Sequence, residues 1–328
     1  MTRMKKLTGL IAAAFIFTVG LQGQSKNEAV EAYNEGVGLM KTDVQGAITS
    51  FEKSIQISEQ VGDSAADLRD KAIAVLPDLY YQQAYKSYTE KNIPLAISTS
   101  KSTISVAEKY QNEKAKERGT NLLTQLYMSQ GSASFQSKQY EKAASAFDSA
   151  LIVNPEYYKA LLFKAQVYLK IDNKDLFTEN IDKFIEKATN DTAQLPIAKK
   201  MAIDYYKSAG SKANLAKKYD EALELLNKAT TYGEDKDIYY QLANIYNKQK
   251  NFNEAAEKAQ KGLDLETGAA SNKAKFYYEL AVAQAGKGDI DNACSNFKNA
   301  QYGTFLTPAK AQMTNLKCAG ATAAPAAK

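Results

Sequence analysis

The chain has 328 residues, 45% of them apolar and 24% charged, which is enough to bury one long core or two compact ones and too apolar for a disordered composition. It contains no histidine, no tryptophan and two cysteines, at a formal charge of +5. Without histidine the commonest general base, the Ser-His-Asp and Cys-His arrangements and most transition-metal sites drop out.

Residues 1–23 are set apart. Arg3, Lys5 and Lys6 precede the apolar run "LTGLIAAAFIFTVGL" from Leu7 to Leu21, and the polar "QGQS" follows. This is the three-part pattern of a secretory signal, with cleavage expected near Gly23. The run is shorter than the roughly 20 apolar residues of a bilayer span, and no cysteine is present there to take a lipid. The start is similar to that of bacterial exports, so the expected location is the periplasm, the outer membrane or the cell surface. No integral span is expected after cleavage. Removing three positive charges leaves 5 − 3 = +2. Lysines alternate with acids in "KAKERG" and "NFNEAAEKAQK", which reads as solvated helix faces and not as a nucleic-acid track.

From residue 26 the chain reads as all-α, because apolar positions recur at three-to-four spacing and six prolines interrupt the whole length. One frame recurs: "YYQQAYKSYTEKNIPLAISTSKST" (80–103), "YMSQGSASFQSKQYEKAASAFDSA" (127–150), "YYQLANIYNKQKNFNEAAEKAQKG" (239–262) and "YYELAVAQAGKGDIDNACSNFKNA" (277–300). Small residues at Ala84, Gly131, Ala165, Gly210, Ala243 and Ala281 are expected on a first helix where a second one crosses it. Ala47, Ala96, Ala143, Ala222, Ala255 and Ala293 are expected to do the same on the second helix.

These residues resemble the tetratricopeptide repeat. The resemblance covers residues 26–302 and implies a right-handed superhelical solenoid of about seven helical hairpins. Tyr80, Tyr127, Tyr206, Tyr239 and Tyr277 stand where the family usually has tryptophan, and are expected to pack between hairpins. Centres at Ala47, Ala96, Ala143, Phe177, Ala222, Ala255 and Ala293 are 49, 47, 34, 45, 33 and 38 residues apart, against a family period of about 34. The longer intervals predict longer helices, with a kink at Pro77. The fourth copy departs from the pattern, with Phe177 and Phe184 where alanines are expected.

Segment 303–318 is expected to form a capping helix, with Thr307 as N-cap and Pro308 as its first residue. Residues 319–328, "AGATAAPAAK", carry too little apolar bulk to pack and are expected to be disordered. Cys294 in the seventh copy and Cys318 at the end of the cap are expected to form a disulfide in an oxidising compartment, the alternative being two buried free thiols. Two thiols without histidine cannot close a tetrahedral metal site, and no metal or cofactor is expected.

Nothing in the chain marks catalysis. "GSKANLAKK" lacks the second glycine of a phosphate loop, and carboxylates are scattered over helix faces. The expected function is a non-catalytic scaffold or adaptor of the cell envelope whose partner is a protein or peptide, with no nucleic acid. The resemblance implies that first helices line a concave groove. By repeat frame that groove carries Gln125, Met128 and Phe135, then Lys159 and Gln166, then Lys207, then Tyr240, Asn244, Asn247 and Lys248, then Lys275 and Tyr278. Some members hold a peptide's terminal carboxylate on lysine, asparagine and arginine. Here those places carry Lys207, Ser211, Gln241, Lys275 and Glu279, of which only the lysines match. The other readings are a glycan-binding helical surface protein, since tyrosine-rich faces stack on sugars, and an enzyme with an unrecognised carboxylate site.

Overall fold

A computed structural model describes residues 25–319. The expected signal at 1–23 lies outside the described residues, as does the expected tail after Ala319. Among the described residues there are fifteen α-helices, two short 3-10 turns and no strand, so the fold class is all-α. The chain divides into two compact units and passes between them three times, once inside a helix.

The first unit comprises residues 25–137 and 145–157 of the described chain. It holds α1 (Lys26–Leu39) and α2 (Val44–Val61), α3 (Ala66–Thr89) and α4 (Ile93–Lys109), then α5 (Glu113–Gln136) and most of α6 (Tyr140–Val153). The second unit begins with residues 138–144 and continues from Tyr158. It holds four hairpins: α7 (Lys159–Lys170) with α8 (Lys174–Lys187), α9 (Leu195–Leu215) with α10 (Tyr219–Thr230), α11 (Lys236–Lys248) with α12 (Phe252–Asp264), and α13 (Ala270–Gly286) with α14 (Ile290–Asn299). A last helix, α15 (Leu306–Asn315), closes the described chain.

Local chemistry sets the helix ends. Ser25 and Glu28 form a reciprocal capping box at α1, and the side chains of Asn92, Asn112 and Asn173 accept from the first-turn amides of α4, α5 and α8. The residue before many of these caps is left-handed: φ is 61° at Lys91, 55° at Gln111, 55° at Asp172 and 62° at Lys250. At the equivalent turn before α14 the residue is Gly288, which adopts φ 83° with no Cβ to clash. Bonds such as Asn92 N–H to the Ser87 carbonyl (2.9 Å) and Asn251 N–H to the Tyr246 carbonyl (2.8 Å) close the same motif each time.

The small residues lie where the helices cross. Ala84, Ala96, Ala165, Ala222, Ala243, Ala255, Ala281 and Ala293 are all 0% exposed. Ala84 and Ala96 share one cluster with Leu122 and Leu126, and Ala281 and Ala293 share another with Phe297. At Gly131 an added Cβ would run into the Phe147 ring, and at Gly210 it would stand 2.7 Å from Leu226 Cγ. Tyr206 and Tyr239 are buried, while Tyr80, Tyr127 and Tyr277 are half-buried.

The three long sequence intervals coincide with the three longest first helices: α3 and α5 have 24 residues each and α9 has 21, against 12 and 13 for α7 and α11. α3 runs as a single helix through the buried Pro77. In the irregular fourth copy Phe177 and Phe184 are fully buried. Phe177 lies 4.5 Å from the Tyr205 ring and Phe184 lies 5.7 Å from that of Tyr158. The bulk added at one crossing is thus absorbed by aromatic neighbours on adjoining segments.

The start of α15 differs from the sequence expectation. The helix begins at Leu306 with Phe305 as N-cap, no side chain caps it, and Thr307 and Pro308 lie in its first turn. A 3-10 turn at Gly303–Phe305 leads directly into the helix, and the Phe305 ring packs 5.4 Å from Tyr278 and 6.4 Å from Tyr240. The backbone turn and this ring set the entry in place of a threonine hydroxyl, and proline is tolerated because first-turn amides have no intrahelical acceptor. Ala309 and Met313 then bury against Ala281, Ala293, Phe297 and Ala300. Cys294 and Cys318 are disulfide-bonded, with Cα atoms 5.6 Å apart.

Candidate functional site

The first helices of the second unit carry most of the residues that the repeat frame assigns to a groove, and many of them are tied to the next hairpin. Lys207 on α9 donates to Asp235, the N-cap residue of α11, at 2.7 Å. Burial pulls the Lys207 ammonium down, but the bond to Asp235 and its charge outweigh this and hold it above its ordinary value. Ser211 donates to Gln241 at 2.7 Å, and Lys248 reaches back to Asn214 at 3.2 Å. Between α11 and α13, Lys275 pairs with Asp237 and lies over the rings of Tyr240 (5.5 Å) and Phe276 (5.0 Å).

Glu279 on α13 is 3% exposed. It accepts from Asn244 and from Asn247, each at 2.8 Å, and Asn247 also donates to the Glu279 carbonyl at 2.9 Å. Burial raises the carboxyl's pKa, and the two amides only partly oppose that. The Tyr240 hydroxyl is pushed up to about 12, first by burial and then by the charge of Glu279. Asn244, Asn247 and Glu279 therefore form a buried knot between consecutive hairpins. The acceptors and donors opposite the assigned residues, Asp235, Asp237, Gln241 and Asn214, are not legible from one repeat alone, because which side chains meet depends on how neighbouring hairpins are offset. Lys159 and Gln166 lie on α7, the first exposed and the second half-buried.

The first unit presents a different surface. On α5, Gln125 is exposed, Phe135 is half-buried and Met128 is buried at 8% exposure. Alongside, α3 bears Tyr81, Tyr85 and Tyr88 at helical spacing, their ring centroids 6.2 and 6.3 Å apart in sequence along the row. Tyr85 is 50% exposed and Tyr88 39%. Tyr81 anchors the row: the Arg118 guanidinium of α5 stacks 4.5 Å from its ring and pairs with Asp78 one turn earlier on α3. Sequence reading missed this row because it transferred groove positions only from the third repeat onward. The same frame, counted from Tyr80 and Ala84, lands on Tyr81, Tyr85 and Tyr88.

Among the described residues no cluster of three or more His, Cys, Asp or Glu side chains could hold a metal, and no helix is long and apolar enough to cross a membrane.

A family model described as "Tetratricopeptide repeat" matches residues 128–179 and 216–270. A stretch of 102 residues, 30% of the chain, is 33% identical to the heat shock protein STI1 of Saccharomyces cerevisiae. That stretch spans 17% of STI1. Among solved structures, a tetratricopeptide repeat protein of Bacteroides fragilis is similar at 20% identity with a TM-score of 0.36, over 74% of this chain and 97% of the other. Another from Parabacteroides merdae is similar at 16% identity with a TM-score of 0.30, over 89% of this chain and 99% of the other. Tetratricopeptide repeats generally serve as scaffolds for protein or peptide partners and are typically not enzymes.

Proposed function

We propose that the protein is an exported, non-catalytic scaffold of the cell envelope, and that it holds a peptide segment of a protein partner on the first helices of its first unit. The observation that carries this reading is the row Tyr81–Tyr85–Tyr88 on α3. Tyrosines with half-exposed rings at helical spacing, on a helix packed against α5, offer apolar contact with hydroxyls free to reach a backbone. The ring spacing of 6.2–6.3 Å is close to the roughly 6.6 Å between same-face side chains of an extended peptide, which rises about 3.3 Å per residue. Alternate side chains of such a peptide would fall between successive rings.

In the second unit the assigned residues Lys207, Asn244, Asn247, Lys248 and Lys275 already have intramolecular partners, so their role in this reading is to fix the hairpins relative to each other. Of the remaining residues first assigned to the partner, Lys159 is exposed on α7, and Gln166, Tyr240 and Tyr278 are half-buried within the second unit.

The test is site-specific photo-cross-linking from position 85 in the producing cell. The expected result is one dominant protein adduct that disappears when Tyr81 and Tyr88 are both changed to alanine. Retention of the purified chain on envelope polysaccharide, with no protein adduct, would support the glycan-binding reading instead.

A further inference from the structure

We propose that the protein forms a two-fold symmetric dimer in which α9 of one copy lies antiparallel against α9 of a second copy. This rests on the second unit alone and is independent of the peptide surface on α3.

The starting observation is an uncovered helix face. α9 begins fifteen residues before Gly210, whereas α7 begins six before the equivalent Ala165, so the first nine residues of α9, Lys200 and Met201 among them, have no counterpart on α7, and the exposed face continues past them through Asp204, Ser208 and Lys212. Beside α9 runs an open trough of about 930 Å³, walled by Leu169 and Asp172 on one side and Leu225 of α10 on the other. Along its rim runs an exposed ridge at every fourth residue: Lys200, Asp204, Ser208 and Lys212 of α9, then Ala216 just past its end. Ridges of this spacing pack helix on helix.

The ridge is complementary to itself. Ser208, small and exposed, sits at its centre, with Asp204 four residues before it and Lys212 four after. A two-fold axis through Ser208 therefore brings Asp204 of each copy opposite Lys212 of the other, giving two reciprocal ion pairs, as an isologous interface requires. The apolar flank follows the same symmetry. Leu215, 85% exposed, lies seven residues after Ser208, and Met201, lining the trough, lies seven before it. The axis sets one against the other. Within one chain Asp204 meets Lys200 at 2.7 Å, but that pair is exposed and contributes little, so Asp204 can exchange it for Lys212 of a second copy.

The decisive experiment is charge exchange in the full-length chain, followed by sedimentation velocity and light scattering from 1 to 200 µM. The unaltered chain should dimerise. Asp204→Lys and Lys212→Asp should each weaken the dimer at least tenfold, because each places two like-charge pairs across the axis. The double variant should restore it, and so should mixing the two single variants, whose charges are complementary. Circular dichroism should show the same helix content in all forms. A chain that stays monomeric to 200 µM overturns the proposal. A dimer indifferent to the single changes, or one that neither the double variant nor the mixture restores, overturns it as well, since a partner bound elsewhere would not follow this symmetry.

Discussion

Two residues show how tightly the packing within and between hairpins constrains side-chain size and charge. Gly210 is buried against α10, and a methyl there would stand 2.7 Å from Leu226 Cγ and 3.3 Å from the Ala222 carbonyl oxygen. Leu226 is fully buried and cannot swing away. Gly210→Ala is therefore expected to lower stability by about 1–3 kcal/mol through overpacking, despite alanine's better helix propensity, as measured by urea unfolding. Glu279 makes a different case, a large polar group buried between consecutive hairpins and bonded to Asn244 and Asn247. Its folded-state pKa is raised by burial, so the folded protein binds a proton more readily than the unfolded chain. Its contribution to stability must then fall as pH rises from the ordinary carboxylate range through the raised value. Glu279→Gln removes the buried charge, keeps an acceptor for one asparagine, and adds an amide donor beside Asn247, whose Oδ1 is buried without one. The variant should gain on the unaltered protein as pH rises above the ordinary carboxylate range, in urea unfolding at a series of pH values. A difference that stays constant with pH would show that Glu279 does not titrate across that series.

At the level of elements, the hairpins were legible because one physical requirement repeats: two helices approach closely only where both carry small side chains, and that leaves a sequence rhythm. The helix lengths were legible in the intervals between second-helix alanines, since extra residues can be absorbed only by lengthening a first helix or a loop. The fourth copy is where the rhythm fails and where substitution is most informative. Phe177 occupies a position that is alanine in most copies, yet its ring is fully buried against Tyr205 and Tyr206. Phe177→Ala restores the usual residue and should nonetheless cost about 3–5 kcal/mol, because neighbours shaped around a ring leave a cavity when it is removed. Thermal unfolding followed by circular dichroism measures this, and a neutral outcome would mean that the aromatic cluster can collapse onto the crossing. The ties between hairpins were not legible. Lys207 to Asp235 and Asn247 to Glu279 span 28 and 32 residues, and nothing within a single repeat says which polar residue of the next copy each will face. The tyrosine row on α3 was legible in principle, since it obeys the same frame as the residues that were assigned.

Across the molecule, the substantial packing within each unit is between helices one or two places apart in chain order. Stability in such an array is a sum of local terms and nearest-neighbour interfaces, so a perturbation at one end should decay along the chain and not spread through it. The C-terminal closure offers a clean way to see this. The Cys294–Cys318 bond encloses a separation of 24 residues and fastens the end of α15 to α14; a loop of that size constrains the unfolded chain by on the order of 3 kcal/mol. Beneath it, Ala309 and Met313 cover Ala281, Ala293 and Phe297, which would otherwise end the array as exposed core. Reduction, or Cys318→Ser, should therefore speed amide exchange most in α13, α14 and α15, less in α11 and α12, and not detectably in α1 through α5. Hydrogen exchange read by mass spectrometry with and without reductant resolves these segments. Faster exchange throughout both units would mean that the helices unfold as one cooperative body, with coupling that reaches well beyond adjacent hairpins. Faster exchange in α13–α15, slight in α11 and α12 and absent in the first unit, would identify the disulfide as a local clasp whose loss leaves the helix that carries the tyrosine row intact.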